Sequence, residues 1–425
     1  MVRVVIVGGG WSGCAAAAGA RKAGAEVTLL ERTDMLLGTG LVGGIMRNNG
    51  RFTAAEEMIA MGGGELFTLC DRCSRHRNIK FPGHDHVSLY DIAAIHGAVE
   101  NYLKELDVKV HFRKRISRLQ TSGGSINGVQ AQDTAIFEGD VFIDATGTAG
   151  PTPNCVKHGN GCAMCIIRCP SFGGRVSLTG LAGVGEYAAR KPDGSTGAMS
   201  GSCKLLKESL SGELQKELDK KGVAVVPVPE NLVEDHLGIK ACQQYALKEF
   251  KDNLILLDTG HAKLMTPYYD LQTLRKIPGF ENARYEDPYA GGTGNSMRFF
   301  DIAPRDDHLK VEGAKNLFCC GEKAGLLVGH TEAIVTGTLA GHNSVRFGLK
   351  KELLEIPRKL AAGDAIAYVR EESATEQGLT KKYTFSGSVY FERMKKLGLY
   401  TTDQGVIAQR VEACGMKNVF LNKLF

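Results

Sequence analysis

The sequence predicts an α/β protein: a Rossmann-like, parallel-sheet domain contributed by two separate stretches of chain, with a β-meander inserted in the first stretch. A second, α+β domain separates the stretches, and a short helical tail follows. Three observations predict this. The apolar run VVIV leads straight into a glycine turn, GGGWSG, near the N-terminus. Strand-like and helix-like patterns then alternate to about residue 150, and the late segment NLFCCGEKAG repeats the order of strand, glycine and acid. With 425 residues, 43% hydrophobic and 23% charged, the chain has material for two cores, which excludes disordered and collagen-like classes.

The elements follow in order. Val2 to Val7 is continuous and β-branched, as in a strand buried on both faces. Ser12 to Ala23 is helix-compatible and stops at Gly24, and Val27 to Leu30 is the next strand, closed by Glu31. Leu89 to Leu106 reads as an amphipathic helix. Val108 to Phe112, Ile116 to Gln120, Ile126 to Gln130 and Val141 to Asp144 read as strands, with a turn at Ser122 to Ser125. From Gly150 to about Gly201 glycine, cysteine, serine and proline dominate without periodicity, so something other than an apolar core must order that stretch. A charged helix is expected from Lys204 to Lys221, a valine-rich strand after it, and helix again from Glu234 to Phe250. Asn316 to Cys320 is a strand, His330 to Val345 a small-residue helix, and the chain beyond Pro357 helical. The implied division is 1–150 and 276–350 for the parallel-sheet domain, 151–275 for the second domain and 351–425 for the tail.

Gly8, Gly10 and Gly13 stand in G-x-G-x-x-G order between strand and helix. The first glycine permits a tight turn, the second lets a pyrophosphate approach the backbone, and the third lets helix and strand pack closely. The helix N-terminus offers free N–H groups and the positive end of its dipole. Glu31, about twenty residues on, is placed for ribose hydroxyls and disfavours an additional 2′-phosphate. A dinucleotide is therefore expected here.

Two later stretches decide which dinucleotide. DVFIDATGTAG contains Gly147, and NLFCCGEKAG contains Gly321 and Glu322. Both resemble motifs of two-dinucleotide-binding-domain flavoproteins, in which the second acid bonds the ribitol of FAD and the next helix points at the pyrimidine end of the flavin. The stretch MLLGTGLVGGIMRNNG, with Gly38 and Gly40, resembles the glycine-rich segment lying along the isoalloxazine in those proteins. The cofactor implied is FAD.

From Lys276 to Val369, and in residues 1 to 50, the chain resembles the GidA/TrmFO branch of FAD proteins, whose members modify tRNA uridines. The resemblance rests on KIPGFENA, NLFCCGEKAG and the helix from Gly329-His330-Thr331-Glu332-Ala333 to Ala340-Gly341-His342-Asn343. It implies that His330 and Glu332 start a helix beside the flavin, which makes them candidate catalytic residues. Arg298 is a third candidate, as a bidentate holder of a carboxylate or phosphate. Residues 151–275 do not align with the middle region of the TrmFO branch, and the tail is shorter than that of GidA.

Cys155, Cys162, Cys165 and Cys169, followed by Pro170, put four of the twelve cysteines into fifteen residues. The last three and the proline copy the end of a ferredoxin-type run, so a 4Fe-4S cluster is expected as metal site. Two alternatives stay open: zinc held by four thiolates, and a Cys162–Cys165 dithiol exchanging electrons with the flavin. Cys70 and Cys73 read as plain thiols, and His84 and His86 as surface histidines.

With a strand from Val2 and no long apolar run, the expectation is a cytoplasmic protein without membrane contact and with reduced thiols. The formal charge of +5 is concentrated between Thr380 and Phe425, where eight Lys or Arg stand against three acids; a solvated helical surface explains this better than an RNA-binding patch. The leading functional expectation is an FAD-dependent oxidoreductase with a cluster, passing electrons between a small or nucleotide-like substrate and a ferredoxin-type carrier. Alternatives are a tRNA or rRNA uridine-modifying flavoenzyme and a non-catalytic flavin electron-transfer subunit. A homo-oligomer is expected.

Overall fold

The computed structural model describes residues 1–147, 176–196, 198–199, 202–239, 243–266, 269–286, 297–298 and 300–425, with backbone only at 198–199, 239 and 297–298. The first 31 residues form the expected unit of β1 (Arg3–Val7), α1 (Trp11–Lys22) and β2 (Glu26–Leu30). Next come α2 (Gly40–Gly43), β3 (Ile45–Met46), α3 (Gly50–Ala60), α4 (Glu65–Arg72), β4 (Ser74–Phe81), β5 (His84–Tyr90), α5 (Ile95–Glu105) and β6 (Lys109–His111). The meander is β7 (Ile116–Ser122), β8 (Ser125–Ala131) and β9 (Ile136–Glu138), and β10 (Val141–Asp144) returns to the main sheet. The middle of the chain holds α6 (Leu178–Leu181), β11 (Tyr187–Ala188), β12 (Ala198–Met199), β13 (Cys203–Leu205), α7 (Gly212–Lys221), β14 (Val223–Pro227), α8 (Glu249–Asp252), β15 (Asn253–Asp258) and β16 (Ala262–Leu264). Last are α9 (Leu271–Leu274), β17 (Met297–Arg298), β18 (Asp301–Ile302), β19 (Leu317–Cys319), α10 (His330–Gly348), α11 (Ala361–Ser373), α12 (Ser388–Lys396) and α13 (Gln404–Ala413).

The main sheet is parallel, in the order β19-β10-β1-β2-β6, with Val4 of β1 opposite Val27 on one side and Val141 on the other. A strand buried on both faces needs an unbroken apolar run, and Val4 to Val7 are all buried. The second main sheet is antiparallel, β13-β16-β15-β14, and packs its own core around Leu205, Leu256 and Phe280.

Three expected helices are corrected. Leu89 and Tyr90 end a strand, because β5 pairs with both β3 and β4 and α5 begins only at Ile95. Lys204 to Lys221 divides into β13, a 3-10 turn and α7, whose N-terminus is set by the Ser211 hydroxyl accepting from Leu214 N–H at 3.3 Å. Between Glu234 and Phe250 the described residues form only 3-10 turns and the start of α8. Their apolar residues pack as anchors in a small core with Phe81 and Leu257, not along a helical stripe.

The small residues of α1 have a packing cause as well as a ligand-related one. A Cβ on Gly337 or Gly341 of α10 would overlap the Ser12 or Ala16 carbonyl oxygen of α1, and one on Gly19 would come within 2.8 Å of the Thr338 carbonyl oxygen. The two helices therefore touch backbone to backbone.

The C-terminal helices are built into this core. Glu57 of α3 accepts from the N–H groups of Ala361 and Ala362 at 2.8 and 2.9 Å, closing the N-terminus of α11. Much of the tail's basic charge is used locally: Arg393 binds Asp364 through two 2.8 Å bonds, Lys395 meets Glu392, Lys417 meets Glu412, and Arg410 donates to the carbonyls of Gly398 and Leu399. This is the arrangement of a compensated helical surface.

Candidate functional site: a dinucleotide cleft

At the C-terminal ends of β1 and β2 a cleft opens between the glycine turn and the later strands, where a parallel sheet places its ligands. Each fingerprint glycine has a separate reason to be one. Gly8, at φ +108°, faces the Ala145 carbonyl so closely that a Cβ would overlap it. Gly13 abuts the Gly8 carbonyl in the same way. At Gly10 nothing lies within 4 Å of where a Cβ would stand, so its backbone lies open to the cleft. Gly10 is also the N-cap of α1 and supplies no side chain to the helix's first N–H groups.

Glu31 closes β2 and lines the cleft. Its Oε2 accepts from Gly9 N–H at 2.8 Å, and its Oε1 from Thr33 N–H and hydroxyl at 2.8 and 3.0 Å. These bonds fix the carboxylate beside the turn. Gly147, at φ +78°, and Gly321, at φ +63°, line the middle of the cleft, with Glu322 next to the latter. A Cβ on Gly321 would come within 2.6 Å of the Ser12 hydroxyl.

Asp144, at the end of β10, is fully buried and holds two strands of chain together. It accepts from Thr146 N–H and hydroxyl at 3.2 and 2.7 Å, and from Thr179 N–H and hydroxyl at 2.8 Å each. Gly147 and Val176, which flank residues 148–175, both line the cleft.

The far end of the cleft is built by α2, β16 and the N-terminus of α10. Gly38 lines it; Gly40 lies behind, and a Cβ there would overlap the indole nitrogen of Trp11. Tyr90 donates its hydroxyl proton to the Gly40 carbonyl at 2.6 Å, so its oxygen is left to accept from His330 Nδ1–H at 3.2 Å. In the neutral ring Nε2 then carries the lone pair. A Cβ on Gly43 would overlap Cε1 of His330, so glycine there makes room for the imidazole. Lys263 reaches in from β16, donating to Val42 O at 2.5 Å and to the Ser202 hydroxyl at 2.8 Å.

Several expected site residues lie elsewhere. Glu332 is fully buried and outside the cleft lining; it accepts from Arg51 Nε at 3.1 Å, from Phe385 N–H at 2.9 Å and from the Thr384 hydroxyl at 2.6 Å. It follows His330 by two residues, and on a helix that spacing turns it to another face. Arg298 is on β17, opposite Ala198, and its side chain is outside the described residues. Cys155, Cys162, Cys165 and Cys169 also lie outside the described residues; among the described residues no three metal-ligating side chains gather.

His84 corrects the surface reading. It is 3% exposed, its Nδ1 takes amide bonds from Asn48 and Asn49 at 3.0 and 3.3 Å, and its Nε2–H donates to the carbonyl of Gln244, itself a cleft residue. Burial, helped by the positive charge of Arg51, pushes its pKa down to about 3. Cys70 is a buried free thiol, with its pKa raised by desolvation. Sequence reasoning missed Trp11, Tyr90 and Lys263. Trp11 was legible, as the one tryptophan of the chain set inside the glycine fingerprint; the other two carry no local signal.

The cleft fits a dinucleotide on three structural counts: the open backbone at Gly10, the uncapped helix start behind it, and the fixed carboxylate of Glu31. Comparison with known proteins agrees. Residues 3–150 match the family model described as FAD dependent oxidoreductase, and residues 251–352 match that of glucose inhibited division protein A. The methylenetetrahydrofolate–tRNA-(uracil-5-)-methyltransferase TrmFO of Thermosipho melanesiensis is 33% identical over 128 residues, 29% of this chain and 27% of that protein, so the match spans about a quarter of the relative's length. The structure of Aquifex aeolicus GidA in its form II crystal superposes with a TM-score of 0.63 at 15% identity, covering 97% of this chain and 76% of that one. Its form I crystal gives 0.62 at 14% identity, with 97% and 78% covered. Among the described residues no helix is long and apolar enough to cross a membrane. The chain is thus similar to FAD dependent oxidoreductases over residues 3–150 and to glucose inhibited division protein A over residues 251–352, and it shares the fold of GidA.

Proposed function

We propose that the chain is an FAD-dependent oxidoreductase that acts on a uridine base in RNA. The observation that carries the cofactor assignment is the meeting, in one cleft, of the glycine turn, Glu31, Gly321–Glu322 and His330. In this reading Gly8, Gly10 and Gly13 take the pyrophosphate, Glu31 the adenosine ribose and Glu322 the ribitol, while Gly38 to Gly43 and His330 flank the isoalloxazine. Bound FAD supplies two-electron chemistry as hydride transfer. The chain's own residues do the rest. Tyr90 orients the His330 ring so that Nε2 can take or give a proton, and Ile45 and Met265 add apolar surface to the same end of the cleft. The RNA substrate is supported by the TrmFO relative, whose name gives a tRNA uracil as the base it acts on.

The test is purification with a flavin spectrum, followed by incubation with reductant and unmodified tRNA and nucleoside mass spectrometry. A modified uridine formed only by the flavin-loaded protein supports the reading. Flavin-loaded protein that neither alters uridine nor binds tRNA with a steep salt dependence overturns the substrate assignment.

A second reading keeps FAD and adds a 4Fe-4S cluster on Cys155, Cys162, Cys165 and Cys169, with one-electron exchange to a ferredoxin-type carrier and a small or nucleotide-like substrate. What favours it is that Gly147 and Val176, at either end of the stretch carrying those cysteines, both line the cleft. Iron and acid-labile sulfide analysis after anaerobic purification decides it: four irons per FAD supports the cluster, and flavin without iron removes it.

A further inference from the structure

Lys263 belongs to the antiparallel sheet, yet its side chain enters the dinucleotide cleft. The ammonium is held at 2.5 Å from Val42 O and 2.8 Å from the Ser202 hydroxyl, and the residue is 4% exposed. Val42 is in α2, and the next residue, Gly43, is the one pressed against the His330 ring. His330 opens α10, a helix of 19 residues whose N-cap, Gly329, contributes no side-chain bond, so the positive end of its dipole lies at the same place. A buried ammonium and a long helix's N-terminus thus converge on two adjacent residues at one end of the cleft. A glutamine could also donate to Val42 O and the Ser202 hydroxyl, but it would bring no positive charge. What distinguishes lysine there is its charge.

We propose that Lys263 sets the electrostatic potential at this end of the cleft, so that its ammonium stabilises negative charge on a planar heteroaromatic ring seated against Val42 and Gly43. The ring is the isoalloxazine of bound FAD, so the proposal rests on the flavin assignment above. Its consequence is a higher two-electron potential and a greater affinity for nucleophiles that leave the ring anionic.

Sulfite is such a probe: its lone pair forms a bond to N5 of the oxidised ring, and the displaced electron pair stays on the ring as negative charge. Flavin-loaded wild-type protein is expected to bind sulfite, seen as bleaching of the oxidised flavin band. K263M is expected to bind it about tenfold or more weakly, the scale of removing one nearby charge at intermediate dielectric. Its midpoint potential is expected to fall by about 30 mV, the two-electron equivalent of tenfold. K263R should stay near wild type. If the methionine variant does not fold, K263Q keeps donors for Val42 and Ser202 and serves the same comparison. Wild-type flavoprotein that binds no sulfite, or a flavin-loaded K263M or K263Q with wild-type sulfite affinity and potential, overturns the proposal. Wild-type protein that takes up no flavin defeats the cofactor assignment instead, before any titration begins.

Discussion

Arg51 Nε lies 3.1 Å from both carboxylate oxygens of Glu332, and neither side chain is more than 4% exposed. This ion pair joins α3 to α10, and the same carboxylate accepts from Thr384 and Phe385 in the chain leading to α12. Removing one partner leaves a buried charge uncompensated. E332A is therefore expected to lose about 3–5 kcal/mol of stability, measured by urea unfolding. E332Q that keeps wild-type stability but loses turnover would return Glu332 to the chemistry.

The backbone contact between α1 and α10 makes a paired test with alanine. In G341A the new methyl group meets the Ala16 carbonyl, which a packed helix cannot move aside, and a loss of about 1–3 kcal/mol or more is expected. In G97A, within α5, nothing lies within 4 Å of the new methyl group, and a gain of about 0.4–1 kcal/mol is expected from the less flexible unfolded chain. Thermal unfolding that moved both variants in one direction would contradict this account.

His84 supplies a pH dependence with a definite sign. Its folded pKa, about 3, lies below the unfolded value of about 6.5 because the buried ring is held neutral. Its contribution is fully present above pH about 6.5 and is lost as the pH falls from there toward about 3. Wild-type unfolding free energy should decline across that window, and H84Q, which does not titrate, should decline less steeply. Equal slopes in the two proteins would exclude His84 as the source.

Trp11 is the one tryptophan of the chain, it lines the cleft, and its ring centroid is 5.9 Å from that of Tyr90. Adding FAD to flavin-free protein is therefore expected to quench most of the tryptophan emission, with a midpoint matching that of flavin binding followed by filtration. Unchanged emission on stoichiometric binding would place the flavin elsewhere.

Much of the cofactor cleft was legible in the chain. Gly8, Gly10, Gly13 and Glu31 lie within 24 residues, so local geometry alone demands their order: a turn at positive φ, an open backbone, a close helix, and an acid at the end of the second strand. The hairpin of β7 and β8 was equally legible, because antiparallel neighbours joined by a short turn carry their pairing in alternation and turn residues, whereas the three-residue β9 that completes the meander was not read from the sequence.

His330 and Glu332 mark where such reasoning stops. Two residues apart on one helix, they looked alike as candidates, but one lies at the cleft under Tyr90 and the other is bound to Arg51, 281 residues away in sequence. Lys263 and His84 are the same lesson with opposite signs: a lysine from a distant sheet becomes part of the cleft, and a histidine expected in solvent is buried between Asn48 and Gln244. Short-range chemistry along the chain determines turns, strand alternation and the open helix start at Gly10, since those depend on neighbours a few residues away. Which charged side chains face the ligand and which are consumed in the core depends on desolvation by partners far along the chain, and only the packed fold supplies those.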